Sequence, residues 1–186
     1  MIMNASLAAI GMGVTRWRDK GILKRLRATP LSPAALFGGL IANQVVIGIL
    51  SVVLMFLLAI VGFEARVQLR LGLLVALVLM GLVTFLALGC LLAALVRRPE
   101  SAPLLINLIT LSMMVLSGVF FPADSLPGWL QFAAGALPLT FLVEGLRQTM
   151  SVGAGWSEIA GNLAGLALWA AAAAGVATRT FHWDSA

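Results

Sequence analysis

The stretch RWRDKGILKRLR, Arg16 to Arg27, is set between apolar runs and decides how the rest of the chain is read. It holds Arg16, Arg18, Lys20, Lys24, Arg25 and Arg27, half of the 12 Lys and Arg present. One Arg or Lys at a bilayer centre costs about 2.5–3.5 kcal/mol on insertion scales. Six of them therefore stay in water or among headgroups, and the bias of positive charge in short loops puts them on the cytoplasmic side. That placement orients everything that follows.

The remainder of the 186 residues explains why a membrane enters the argument. Apolar residues make up 61% of the chain and charged ones only 10%, against about 25% charged in soluble proteins. A soluble domain of this length could not cover so much apolar surface, so lipid is the natural solvent. The net charge of +5 sits in loops, where attraction to anionic lipid explains it. Nucleic-acid binding is excluded as a reading, because it needs a soluble basic face. Cys90 is alone, so no intrachain disulfide, zinc site or redox pair is available.

A span needs about 20 apolar residues. Residues 34–63, 71–96, 104–121 and 159–178 qualify, whereas 1–14 reaches only about 21 Å as a helix and reads as the cytoplasmic half of a partial span. With 15–32 as a cytoplasmic basic segment, Arg97, Arg98, Arg179 and His182 also fall inside. Glu64, Arg66, Arg70, Asp124, Glu144, Arg147 and Glu158 fall outside. Nine of the 12 basic residues are then cytoplasmic, as the bias requires. Local punctuation agrees: Thr29 before Pro30 is pushed from helical angles, Ser32 can cap the next helix with Pro33 at its first position, and Ser157 with Glu158 opens the last span.

Residues 122–156 are too broken by Pro122, Pro127, Gly128, Gly135 and Pro138 to be one span, yet too apolar for a free loop. LQFAAGAL and LTFLVEGL are short helical pieces, suited either to re-entrant segments or to surface helices of an outer loop. Trp129 and Trp156 would lie at headgroup level. Glu144 and Arg147, at i and i+3, can pair on one helix face. Asn43, Gln44, Thr84, Asn107 and Thr110 lie in or beside spans, where polar groups bond across helices or line a path; Asn43 and Asn107 are the candidates for path lining.

As a helix, Arg16–Ala28 is amphipathic, with Ile22, Leu23 and Leu26 on one face and Lys20, Lys24, Arg25 and Arg27 over the rest. Gly21 interrupts it at a cost of about 1 kcal/mol, which asks for a close neighbour. Composition and spacing leave two readings open: a helix lying on the inner leaflet, or one presented to a cytoplasmic protein.

The stretch RDKGILKRLRATPLSPAALFGG, Arg18 to Gly39, resembles the cytoplasmic segment of ABC transporter type-2 permeases. There an acidic and basic lead-in precedes Gly-Thr-Leu-(Lys/Glu)-Arg-Leu, a small pair and Pro-Leu-Ser. A second stretch, SGVFFPADSLPGWLQFAAGALPLTFLVEGLRQ from Ser117 to Gln148, resembles that family's Gly-(Val/Ile)-Phe-Phe-Pro turn, Leu-Pro-x-Trp-Leu helix, Leu-Pro-Leu-Thr and Glu-Gly-x-Arg. Only Asp19 remains of the family's acidic lead-in, Lys20 flanks the glycine, and Ile22 replaces the usual Thr. The family has six spans after an amphipathic elbow, so the chain is expected to be an N-terminally truncated form that begins within the second.

The resemblance implies an all-α integral membrane protein: four complete transmembrane helices, a partial N-terminal span, a cytoplasmic coupling helix and outward re-entrant helices. It implies docking to an ATP-binding subunit through Arg18, Asp19, Gly21, Ile22, Leu23, Arg25 and Leu26. An outer gate would involve Phe121, Pro122, Pro138, Glu144 and Arg147. A second permease subunit, identical or not, would complete the pathway, and membrane lipid would surround it. No enzymatic site is expected. The single histidine, His182, lies in the tail, and no GxxxxGK[ST] loop is present to hold ATP. No cofactor is expected on this chain; ATP and Mg belong to the partner ATPase. The function expected is export of a drug-like or lipid-like substrate across the inner plasma membrane, with the coupling segment and C-terminus cytoplasmic. The alternative is an ATPase-independent membrane scaffold or channel.

Overall fold

The computed structural model describes residue 7 and residues 33–63, 71–96, 100–119, 127–150 and 155–180. Among them the chain is all-helical: α1 (Pro33–Phe63), α2 (Leu71–Leu95), α3 (Ala102–Leu116), α4 (Gly128–Gly135), α5 (Pro138–Thr149) and α6 (Trp156–Thr180). Residues 15–32, with the expected coupling helix, lie outside the described residues.

Each helix boundary has a local cause. Pro stands at the first or second position of α1, α3 and α5, where its missing N–H costs nothing and its fixed φ suits the helix. Helix α3 ends after Leu116 because Gly118 turns left-handed at φ 74°, a conformation glycine adopts without a Cβ clash. The helix is thus 15 residues long, shorter than the apolar stretch 104–121 suggests. Helix α6 begins at Trp156, three residues ahead of the expected 159. The carboxylate of Glu158 accepts the N–H of Gly155 at 3.1 Å, half of a capping box, and its charge suits the helix N-terminus.

Among the described residues, two helices are long and apolar enough to cross a membrane on their own, Gly72–Leu95 and Trp156–Thr180. The pair α4–α5 would make a third if counted as one broken span. Helix α1 runs 31 residues, about 46 Å at 1.5 Å per residue, with Ile41–Leu54 as its described apolar part.

Helix α2 is the centre. It is buried along far more of its length than α6. Its most extensive contact is with α6, and α5 packs on both. Leu73, Leu77, Phe85 and Leu88 of α2 join Leu139 and Leu142 of α5, Ile159, Leu166 and Ala173 of α6, Ile106 of α3 and Leu7 in one buried cluster. Close approach rests on missing side chains. A Cβ at Gly145 of α5 would lie 2.7 Å from Leu77 Cδ2, and one at Gly81 of α2 would lie 2.9 Å from Leu142 Cδ1. Each helix thus seats a leucine of the other. At Gly165 of α6 a Cβ would meet the Phe141 ring at 2.7 Å. Between α2 and α6 the Thr84 hydroxyl lies 3.0 Å from Leu166 O and 2.8 Å from Met80 O, so its one proton serves both the next helix and its own.

Leucine tips can swing aside, but a ring wedged between helices cannot. Gly165→Leu is therefore expected to destabilise the protein by about 1–3 kcal/mol, the usual cost of overpacking. Thr84→Val should cost about 1 kcal/mol, in keeping with interhelical hydrogen bonds in membranes. Unfolding titrations of the purified protein in detergent check both, with Gly165→Leu expected to be the larger.

Candidate functional site in the bent helix pair

Helices α4 and α5 follow one another with an 83° change of direction. The sequence dictates a break here. Leu137 precedes Pro138 and takes the extended geometry φ −74°, ψ 140° that a following proline enforces. The corner is then closed by hydrogen bonds. The Thr140 hydroxyl donates to Ala134 O at 2.6 Å, and Trp169 Nε1 of α6 donates to Ala136 O at 2.8 Å. The indole thereby fastens the corner to the last long helix and gives an otherwise unpaired backbone carbonyl a partner.

The two arms differ in surroundings. Helix α5 buries Pro138, Leu139, Leu142, Gly145 and Thr149 along one face against α2 and α6. Helix α4 lies largely outside the packed core, with Trp129 73% and Phe132 86% exposed at i and i+3. On the outer face of α5 stand Glu144 and Arg147, both exposed. Arg147 lies in the last turn, where the helix dipole favours a cation. A line of polar side chains crosses from α6: Asn162 Nδ2 donates to Gln148 Oε1 at 2.9 Å, and Gln148 Nε2 donates to Glu144 Oε1 at 3.3 Å. The carboxylate direction is thus set partly from the neighbouring helix.

Of the residues expected at the outer gate, Pro138 is buried at the start of α5, and Glu144 and Arg147 share that helix's exposed side. Phe121 and Pro122 lie outside the described residues. So do Arg18, Asp19, Gly21, Ile22, Leu23, Arg25 and Leu26. Asn43 and Asn107 are both exposed, on α1 and α3, while the buried polar groups nearest them in sequence are Gln44 and Thr110. Sequence reasoning missed Gln148, Asn162 and Trp169. A signal existed for each: Gln148 lies one turn beyond Glu144, and Asn162 and Trp169 carry hydrogen-bonding groups inside an apolar helix. Among the described residues no group of three His, Cys, Asp or Glu could hold a metal ion.

This arrangement, a short exposed arm, a proline corner and a second arm packed into the bundle, coincides with the SGVFFP…EGLRQ stretch. Residues 1–151 match the family model described as ABC-2 type transporter. The chain belongs to that family. It is 29% identical over 166 residues to the linearmycin resistance permease protein LnrN of Bacillus subtilis (strain 168), covering 86% of this chain and 41% of that protein. It is 28% identical over 138 residues to the putative transport permease YvfS of the same organism, covering 74% of this chain and 56% of the relative. The chain thus spans about half the length of the curated relatives it matches. No solved structure matches it.

Trp169→Phe keeps the ring and removes only the N–H that holds the corner. It should cost about 1 kcal/mol, the net worth of one hydrogen bond. It should also raise protease sensitivity between residues 127 and 137, while Leu168→Phe next door leaves both unchanged. Limited proteolysis in detergent distinguishes the two outcomes.

Proposed function

We propose that this chain is the membrane-spanning permease subunit of an ATP-driven exporter. One observation carries the reading: the family match extends over residues 1–151 and so includes both Arg18–Gly39 and Ser117–Gln148. In this reading residues 34–63, 71–96, 104–121 and 159–178 are the four complete spans. The basic segment is cytoplasmic, and the bent pair α4–α5 re-enters the bilayer from the outside as part of a gate. Two such subunits enclose the path, and two ATP-binding subunits dock beneath them. Each holds a helix within Arg18–Ala28 through Ile22, Leu23 and Leu26, with the surrounding charges setting orientation. Closure of the ATPase dimer on ATP displaces that helix, and the displacement enters the bundle through the spans on either side of it.

The exposed apolar side chains of α1 and α3, among them Val46, Leu50, Leu54, Leu104, Leu108 and Leu111, suit lipid and a second subunit. A resistance permease among the relatives supports an antibiotic-like, amphiphilic cargo.

Docking is tested by Leu26→Asp, which sets a charge in the apolar face of the docking helix. Co-expressed with its ATP-binding subunit, the variant should insert in the membrane at the parent level and lose substrate-stimulated ATPase activity. Stimulation equal to the parent's would refute the docking assignment.

A further inference from the structure

Helix α1 follows directly on the basic segment and meets the rest of the described structure along a narrow seam. Its Gln44, Gly48, Ser51 and Val52 are buried or half-buried and recur at helical spacing on one face. Val46, Ile47, Leu50, Val53 and Leu54 are exposed. The described partner of this seam is α2. Contact is closest at one point: a Cβ at Gly48 would come within 2.7 Å of Leu82 Cδ2 and 2.9 Å of Leu82 Cδ1. Leu82 is fully buried, and with Leu74 and Val78 it forms a second cluster on α2, separate from the main core. Val52 of α1 and Leu146 of α5 both pack against that cluster. Leu146 also packs against the main core. A single row of α2 side chains therefore stands between α1 and the bent pair.

The two sides of this row are joined very differently. Helices α2, α5 and α6 are held by three glycine notches and by hydrogen bonds from Thr84, Asn162 and Trp169. Among the described residues, the α1–α2 seam has one notch and no interhelical hydrogen bond. One turn before Gly48, Gln44 is 3% exposed and its Nε2 has no hydrogen-bond partner. An unsatisfied buried donor weakens the packing that holds it. The geometry points to two bodies, and we propose that Leu82, seated on Gly48, is the positioning residue between them. It sets where the block α2–α5–α6, bent pair included, stands relative to α1. Movement of α1 then reaches the bent pair as a displacement of the whole block. That α1 is driven by ATP rests on the exporter reading; the two-body joint does not.

The test uses the full chain in lipid vesicles with Cys90→Ala, and spin labels at exposed positions. One pair, at Leu50 and Leu168, spans the joint; the other, at Val75 of α2 and Leu168 of α6, lies within the block. Leu82→Ala should broaden the first distance distribution and leave the second unchanged, and Leu82→Met should restore the first. An unchanged first pair, or equal broadening of both, would overturn the proposal. If Leu82→Ala does not insert, Gly48→Leu fills the seat itself, too large for the Leu82 tips to clear by turning aside, without opening a void in the block, and the same two distances decide. In the complex with the ATP-binding subunit, Leu82→Ala should keep the parent ATPase rate and lose about fivefold or more in export per ATP, as expected for a broken coupling. Failure of the parent to bind any ATP-binding subunit would overturn the exporter reading alone, since the distances are measured without it.

Discussion

The fold depends on backbones coming close where water supplies no force to press them together. Lipid tails are as apolar as leucine, so helices in a bilayer gain little from hiding apolar faces and must gain from fit. Here fit comes from glycines that admit a neighbour's side chain: Leu77 at Gly145, Leu142 at Gly81, Phe141 at Gly165. The first two are reciprocal, each helix providing both a knob and a notch. Such an arrangement resists sliding in either direction, because displacement withdraws one leucine as it drives the other into backbone. It explains how α5, only 12 residues long, holds a fixed place beside two longer helices.

Hydrogen bonds complete what the notches begin. An unpaired polar group is costly in an apolar surrounding, so the few polar side chains in the block are used where they join elements. Thr84 joins α2 to α6, Asn162 and Gln148 join α6 to α5, and Trp169 holds the proline corner. The outer arm α4 has little of either kind of support. Its exposed Trp129 is of a ring type favoured at the boundary between lipid and water. One arm is anchored in the bundle and the other is not.

The residues of the candidate site were legible in unequal measure. The proline corner was readable because Pro138 acts on its own neighbours, whatever the rest of the chain does. That Glu144 and Arg147 share one side of a helix was readable because residues three apart on a helix lie on the same face. The link from Asn162 to Gln148 was not readable, since it joins residues 14 positions apart on different helices, whereas Gln148 and Glu144 lie one turn apart on one helix. Asn43 and Asn107 show the same limit. Each is next to, or one turn from, a buried polar group, and composition offers no means of choosing which of the two points inward.

By itself the sequence determined the apolar character of the helices and several of the places where they start and stop. Those places follow from local physics: the missing N–H of proline at Pro33, Pro103 and Pro138, the Glu158 cap, and the left-handed turn at Gly118. Only the tertiary structure decided which face of each helix meets which neighbour, and so which of the 19 glycines are notches. Helices apolar on every side carry no stripe to mark the inward face. That choice is made by shape, and shape exists only once the helices are side by side.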